Sequence, residues 1–266
     1  MLKIKGLTKY FSRGTPNEVL AIDDLDLSVL SGQFICVIGS NGAGKSTLLS
    51  CIAGTSLPEA GTILLKGVDI THLPEYKRAK QIGRVFQDPL SGTCPSMTIV
   101  ENMSLAMRRG KSRTLRMGIN RRERDFYREN LHLLGLGLEK RLDDKVGLLS
   151  GGQRQSLSLL MAALVRPTIL LLDEHTAALD PKTAELVIRL TQDLVLKDNL
   201  TTIMITHNMT LALNNGNRLI MMHQGKILLD FDEKTKNALT VPDLLEHFEV
   251  AHPLSPVQVS DRMLLS

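Results

Sequence analysis

Nine residues constrain this chain more than any other stretch: Gly39-Ser40-Asn41-Gly42-Ala43-Gly44-Lys45-Ser46-Thr47. They have the form G-x-x-x-x-G-K-[ST], a loop suited to holding phosphate. Gly39, Gly42 and Gly44 carry no Cβ, so the backbone can take positive φ and approach a ligand closely. Successive N–H groups then point inward and form a nest for anionic oxygens. Lys45 adds positive charge for β- and γ-phosphates, and Ser46 offers a hydroxyl to a magnesium ion. Residues 45–53 read as a helix, whose N-terminus adds partial positive charge at the same place. The preceding run Phe34-Ile35-Cys36-Val37-Ile38 is short, apolar and rich in β-branched residues, as a buried parallel strand should be. Strand, glycine loop and helix together are the setting the motif requires.

The chain has 266 residues, enough for one large or two small domains. With 43% hydrophobic and 23% charged residues, a globular core is expected rather than disorder. No apolar run approaches the roughly 18 residues of a membrane span. Lys3 and Lys5 are followed by polar residues, so no signal peptide is read at the start. Any link to a membrane is therefore expected to run through a partner. A net charge of +4 points only weakly to nucleic acid, and the absence of Trp with 3% aromatics argues against a base-stacking surface. Cys36, Cys51 and Cys94 are odd in number and lack C-x-x-C spacing. They suit a reducing cytosol and argue against a disulfide frame or zinc site.

Along the chain, residues 2–10 and 25–30 read as antiparallel strands flanking a loop with Gly14, Thr15 and Pro16. An aromatic here is placed to stack on an adenine ring or simply to pack at a strand end, with Phe11 preferred and Tyr10 second. Residues 62–66 and 82–86 read as strands, and residues 87–97, with Pro89, Gly92 and Pro95, as a loop. Gln87 then ends a strand where ligands bind in open α/β sheets. Helical spacing follows over 99–107, 121–134 and 152–164, with Pro167 as the stop. A helical block of about 98–165 is thus inserted into an α/β chain. Within it Arg108, Arg109, Lys111, Arg113, Arg116, Arg121, Arg122 and Arg124 form a basic patch. That patch is either a solvated loop or a contact for anionic lipid headgroups. Further strands are read at 169–172, 202–206, 219–222 and 227–229, and helices at 182–197 and 242–248. Residues beyond about 252 are expected to be loosely ordered.

Two more constellations carry chemistry. Asp173-Glu174 closes the apolar strand Ile169–Leu172. In a nucleotide site such an Asp binds magnesium and the next carboxylate polarises the attacking water. Leu149-Ser150-Gly151-Gly152-Gln153-Arg154-Gln155 sets Ser and two glycines at a helix start, a second anion-binding N-terminus. Two such starts imply either a second nucleotide or two chains sharing each nucleotide.

With these residues the chain resembles the nucleotide-binding subunit of an ABC transporter. The matching stretches are Gly39–Thr47 (Walker A), Gln87 (Q-loop), Leu149–Gln155 (signature), Ile169–Glu174 (Walker B), Ala178-Leu179-Asp180 (D-loop) and His207 (switch histidine). The resemblance implies a phosphate-loop α/β cassette: a mixed sheet core, an antiparallel β subdomain and an inserted α-helical subdomain. It places the ATPase domain at 1–230, with the helical subdomain at about 98–165 and a short tail at 231–266. It implies ATP and Mg2+ as ligands and a head-to-tail homodimer. Each ATP would lie between one subunit's loop, Gly39 to Thr47 with Phe11 on the adenine, and Ser150, Gly151, Gly152, Gln153 and Asp180 of the other. Ser46, Gln87 and Asp173 would serve the metal. Glu174 resembles the catalytic base and His207 the γ-phosphate sensor. Permease subunits and, indirectly, an extracytoplasmic substrate-binding protein are the implied partners, at the cytoplasmic face of a bacterial inner membrane, without nucleic acid.

One departure stands out: Asp173-Glu174-His175-Thr176 has His where the family usually has Pro. His175 is either simply a turn residue or lies near Glu174, where a protonated imidazole would weaken that base and activity would fall between about pH 7 and pH 6. This departure, with residues 87–93 and 206–209, is similar to a subgroup assigned to tryptophan/tyrosine-type uptake. That subgroup suggests amino acids as the substrate, and Asp144–Leu148 lacks the E-R-G pattern of fused exporters, which leans towards an importer. The rivals are an exporter subunit, a soluble ABC ATPase outside transport, and a phosphate-loop kinase. A kinase has no use for the second helix-start motif, and a soluble ABC ATPase usually carries a coiled coil or two cassettes.

Overall fold

The structure is a computed structural model and describes residues 1–111 and 119–251. The first stretch holds β1 (Leu2–Phe11), β2 (Val19–Val29), β3 (Phe34–Gly39), α1 (Lys45–Ala53), β4 (Ala60–Leu65), β5 (Val68–Asp69) and α2 (Glu75–Arg78). The middle stretch holds β6 (Ile82–Val85), α3 (Ile99–Met107), α4 (Arg121–His132), α5 (Gly151–Ala163), β7 (Ile169–Asp173) and α6 (Pro181–Asp198), with two 3-10 turns before α5. The last holds β8 (Thr202–Ile205), α7 (Met209–Asn214), β9 (Arg218–His223), β10 (Lys226–Asp232), α8 (Glu233–Lys236) and α9 (Val241–Ala251). Among the described residues two compact units result: residues 1–78 with 201–251, and residues 79–200.

In the first unit, β2-β1-β4-β5 form an antiparallel sheet. A second sheet runs β10-β9-β3-β8, with β3 parallel to β8 and β9, and β10 antiparallel at its edge. All six residues of β3 and all four of β8 are buried, the continuous apolar run that a strand covered on both faces requires. Arg78 on α2 is 2% exposed. Its guanidinium donates to the carbonyls of Cys51 and Ile52 in the last turn of α1, where carbonyls lack helical partners. Cys36 and Cys51 are buried and Cys94 is exposed.

In the second unit, β6 and β7 pair in parallel, Val85 opposite Leu172, and α3, α4 and α5 lie between them in sequence. Their starts are written in the sequence. Thr98/Glu101, Asn120/Glu123 and Ser150/Gln153 each form a reciprocal capping box, satisfying two otherwise orphaned N–H donors. Asp180 caps α6 with Pro181 at its first position.

The second strand starts at Val19, six residues earlier than its alternation suggests. The β1–β2 register shifts between Leu7–Leu25 and Lys9–Ile22, and Asp24 sits at φ 47°. A bulge of this kind breaks the period of two without ending the strand. The short β5, α2, α7 and α8 were not anticipated, since two to six residues give no period to read. Arg113, Arg116 and the stretch beyond 252 lie outside the described residues.

Candidate functional site

Within the first unit, the loop after β3 has the build its sequence implies. Gly39 has φ 148° and Gly44 φ 94°. A Cβ on Gly39 would overlap the carbonyl oxygen of Met222, and one on Gly44 that of Ala21. Gly42 has open space but φ 80°. Steric room decides the first two positions and backbone conformation also favours glycine at all three. Ser40 and Ala43 are buried, and Asn41 and Ser46 exposed. The Lys45 ammonium donates to the carbonyls of Gly39 at 2.7 Å and Ser40 at 2.9 Å, so its charge is held over the loop. Gly44 caps α1 without a side-chain hydrogen bond, and no acid lies in that first turn. The positive end of such a helix favours an anion. Thr206 N–H donates to Val37 O at 3.1 Å. The parallel pairing of β3 with β8 thus brings the exposed His207 out at the same end as the loop.

Phe11, 45% exposed at the end of β1, has the Lys9 ammonium 5.5 Å from its ring centroid. Tyr10 instead stacks with the Arg13 guanidinium, 5.0 Å away.

Within the second unit, Gln87 and Asp173 lie just past or at the carboxyl ends of paired strands, the end where ligands bind in open parallel sheets. Asp173 is buried, and Arg84 Nη2 donates to its Oδ2 at 3.2 Å. Burying that carboxylate is costly without a cation to receive it, and Arg84 supplies one. Arg84 also stacks on Phe86, 4.7 Å from its centroid. Sequence reasoning passed over Arg84, although a charge inside the apolar strand 82–85 was its signal. It also passed over Gln155, which is fully buried and donates through Nε2 to Phe86 O at 3.0 Å. That bond ties α5 to the residue before Gln87.

Ser150 Oγ accepts from Gln153 N at 3.3 Å, and Gln153 Oε1 accepts from Ser150 N at 3.2 Å. Both side chains therefore cap their own helix. A Cβ on Gly152 would overlap Thr183 Cγ2 on α6, and one on Gly151 would lie 3.6 Å from Leu179. The start of α5 and the turn at Asp180 are thus packed together by glycine. Asp180 Oδ1 accepts from Thr183 N at 3.1 Å, and the Thr183 bonds hold its carboxyl below the usual range.

Glu174 is half-buried at φ 44°, a conformation that side chains rarely take. His175 overturns the expectation of an acid limb between pH 7 and pH 6. It is 2% exposed, and Nε2 lies 3.1 Å from Thr191 Oγ1. The Thr191 hydroxyl gives its own proton to Val187 O at 2.8 Å, so Nε2 must donate and the imidazole is the neutral Nε2–H form. Burial drives its pKa down to about 4, because a charged ring would lose its hydration. Through the pH 6–7 window His175 carries no charge to place beside Glu174.

The basic patch is partly committed. Arg124 makes a two-point bond to Asp143, at 3.0 and 2.6 Å, and burial lowers the pKa of Arg109. Lys111, Arg121 and Arg122 are exposed.

The sequence model of the ABC transporter family matches residues 22–177. The chain belongs to that family, as one of its ATP-binding cassettes, the ATPases that drive transport. It is 50% identical over 253 residues to the tyrosine transport ATP-binding protein of Clostridioides difficile strain R20291, covering 94% of this chain and all of that one. It is 38% identical to a phosphonates import ATP-binding protein of Ruegeria sp. strain TM1040, over 86% of this chain and 88% of the other. Among solved structures, the cassette MJ0796, a dimer in a post-hydrolysis state with ADP and Pi, superposes with a TM-score of 0.74 at 30% identity, covering 88% and 99% of the two chains. The ADP conformation of the cassette MJ1267 gives 0.75 at 27% identity, over 93% and 98%. Among the described residues, no helix is long and apolar enough to cross a membrane.

Proposed function

We propose that the chain is the ATP-hydrolysing subunit of a bacterial amino-acid importer, working as a head-to-tail dimer at the cytoplasmic face of a separate permease. The observation that carries this reading is the build of the loop 39–47: glycines forced by their surroundings, a buried lysine charge and a helix start with no side-chain cap. The likeness to proteins named for tyrosine transport and phosphonate import supports import over export. The cassette is assigned to residues 1–230, with the helical subdomain at about 98–165.

In this reading the loop's N–H groups and Lys45 bind the β- and γ-phosphates, and Phe11 stacks on the adenine. Ser46, Asp173 and Gln87 offer hydroxyl, carboxylate and amide oxygens, the hard donors that suit Mg2+. The ion, when bound, neutralises charge on the phosphates. Glu174 accepts a proton from the attacking water and His207 contacts the γ-phosphate. Ser150, Gly151, Gly152, Gln153 and Asp180 meet the nucleotide of the partner subunit, so ATP closes the dimer and product release reopens it.

Glu174→Gln tests the reading. Removal of a general base typically lowers turnover about 10²–10⁴-fold, while nucleotide binding should be kept. With ATP bound, the variant should elute as a dimer in size-exclusion chromatography. A monomer under these conditions, at saturating ATP and high protein concentration, would count against the shared site. Isolation of the subunit from membranes should bring its permease with it.

A further inference from the structure

The first unit buries a lysine that the nucleotide chemistry does not use. Lys236, the last residue of α8, is 2% exposed. Its ammonium donates to the carbonyls of Leu213 at 2.6 Å and Gly216 at 2.9 Å. Both acceptors are neutral main-chain oxygens. Burial lowers the pKa of the ammonium, and Cys36 and then Glu233 oppose that shift more weakly. A lysine is almost never fully buried without specific partners, because desolvating the ammonium is costly.

Those partners sit at an informative place. Leu213 lies in the last turn of α7, where carbonyls lack helical partners and the helix dipole is negative. Gly216 follows in the turn, at φ 68°, and a Cβ there would overlap Phe34 O at the start of β3. Cys36 Sγ donates to Asn215 O at 3.2 Å, and Asn217 N donates to Phe34 O at 2.8 Å. The turn is thus seated on the strand that leads to the phosphate loop. At the other end of α7, Asn208 caps the helix through Leu211 N at 2.8 Å, and Asn208 directly follows His207. Six residues of helix span about 9 Å, so the two ends of α7 are less than two turns apart.

We infer that Lys236 is a positioning residue for His207: the segment after β10 grips α7 by its C-terminal end and so sets the imidazole at its N-terminal end. The inference rests on the proposed role of His207.

The test is steady-state ATP hydrolysis and nucleotide binding by the full-length chain. Lys236→Met keeps the aliphatic stem and loses the donors. It should lower kcat about 3–10-fold and leave nucleotide affinity within about twofold. Lys236→Arg, which keeps charge and donors, should retain more than half the turnover. In a His207→Ala background, Lys236→Met should cause no further loss. If Lys236→Met does not fold, Lys236→Gln is judged by the same criteria. Independent losses that multiply in the double variant, or a parallel fall in affinity and kcat, would overturn the inference. Normal turnover in Lys236→Met beside an impaired His207→Ala would do so as well. Normal turnover in His207→Ala would instead remove the role of His207, and this inference with it.

Discussion

His175 shows what one substitution does when its surroundings are known. The ring bonds to Thr191 within the core and stays neutral. Its consequence therefore falls on stability. The folded state holds a pKa of about 4, against roughly 6.5 for an unfolded histidine. A depressed pKa means the unfolded chain binds the proton first as pH falls. The neutral ring's contribution is complete above about pH 6.5 and is lost progressively towards pH 4. Between pH 7 and pH 5 this amounts to about 2 kcal/mol. Urea unfolding at the two pH values should show that loss, and His175→Gln should remove most of the difference. An equal pH dependence in His175→Gln would assign it to other groups. The departure from proline was legible in the sequence. Its burial was not, because nothing local to Glu174-His175-Thr176 reveals Thr191, sixteen residues away.

Helices α5 and α6 meet at Gly152 and Thr183. A Cβ at Gly152 would overlap Thr183 Cγ2, and Thr is stiff at χ1. Gly152→Ala should therefore be destabilising by about 1–3 kcal/mol, as overpacking usually is, despite a helix-propensity gain of up to about 1 kcal/mol. Thr183→Ser removes only the clashing methyl. In that background Gly152→Ala should become neutral or stabilising by thermal melt. A penalty of the same size in both backgrounds would put the cause elsewhere than this contact. Helix starts were the best-read elements, since Thr98, Ser150 and Asp180 are capping residues in their own right. Strand β2 and the short helices were the worst, through a bulge in one case and too few turns in the others.

Across the whole molecule, the family and its fold class were legible, because phosphate chemistry fixes residue type and spacing together. The supports were not. Arg84, Gln155, Arg78 and Lys236 grip groups that only folding brings near them, and even the charge of Arg84 inside an apolar strand does not name its partner. The cysteines have a practical consequence of the same origin. Burial pushes the thiols of Cys36 and Cys51 up to about 12 and about 11, and the thiolate is the reactive form. Cys94 is exposed, its main chain fixed by both ends of the Asn102 amide at 2.8 and 3.1 Å. At neutral pH a maleimide dye should modify one thiol of the native protein, and three after denaturation, as intact mass would record. The unaltered chain thus comes with a single addressable fluorophore position, seven residues beyond Gln87, from which movements of that loop can be followed in real time.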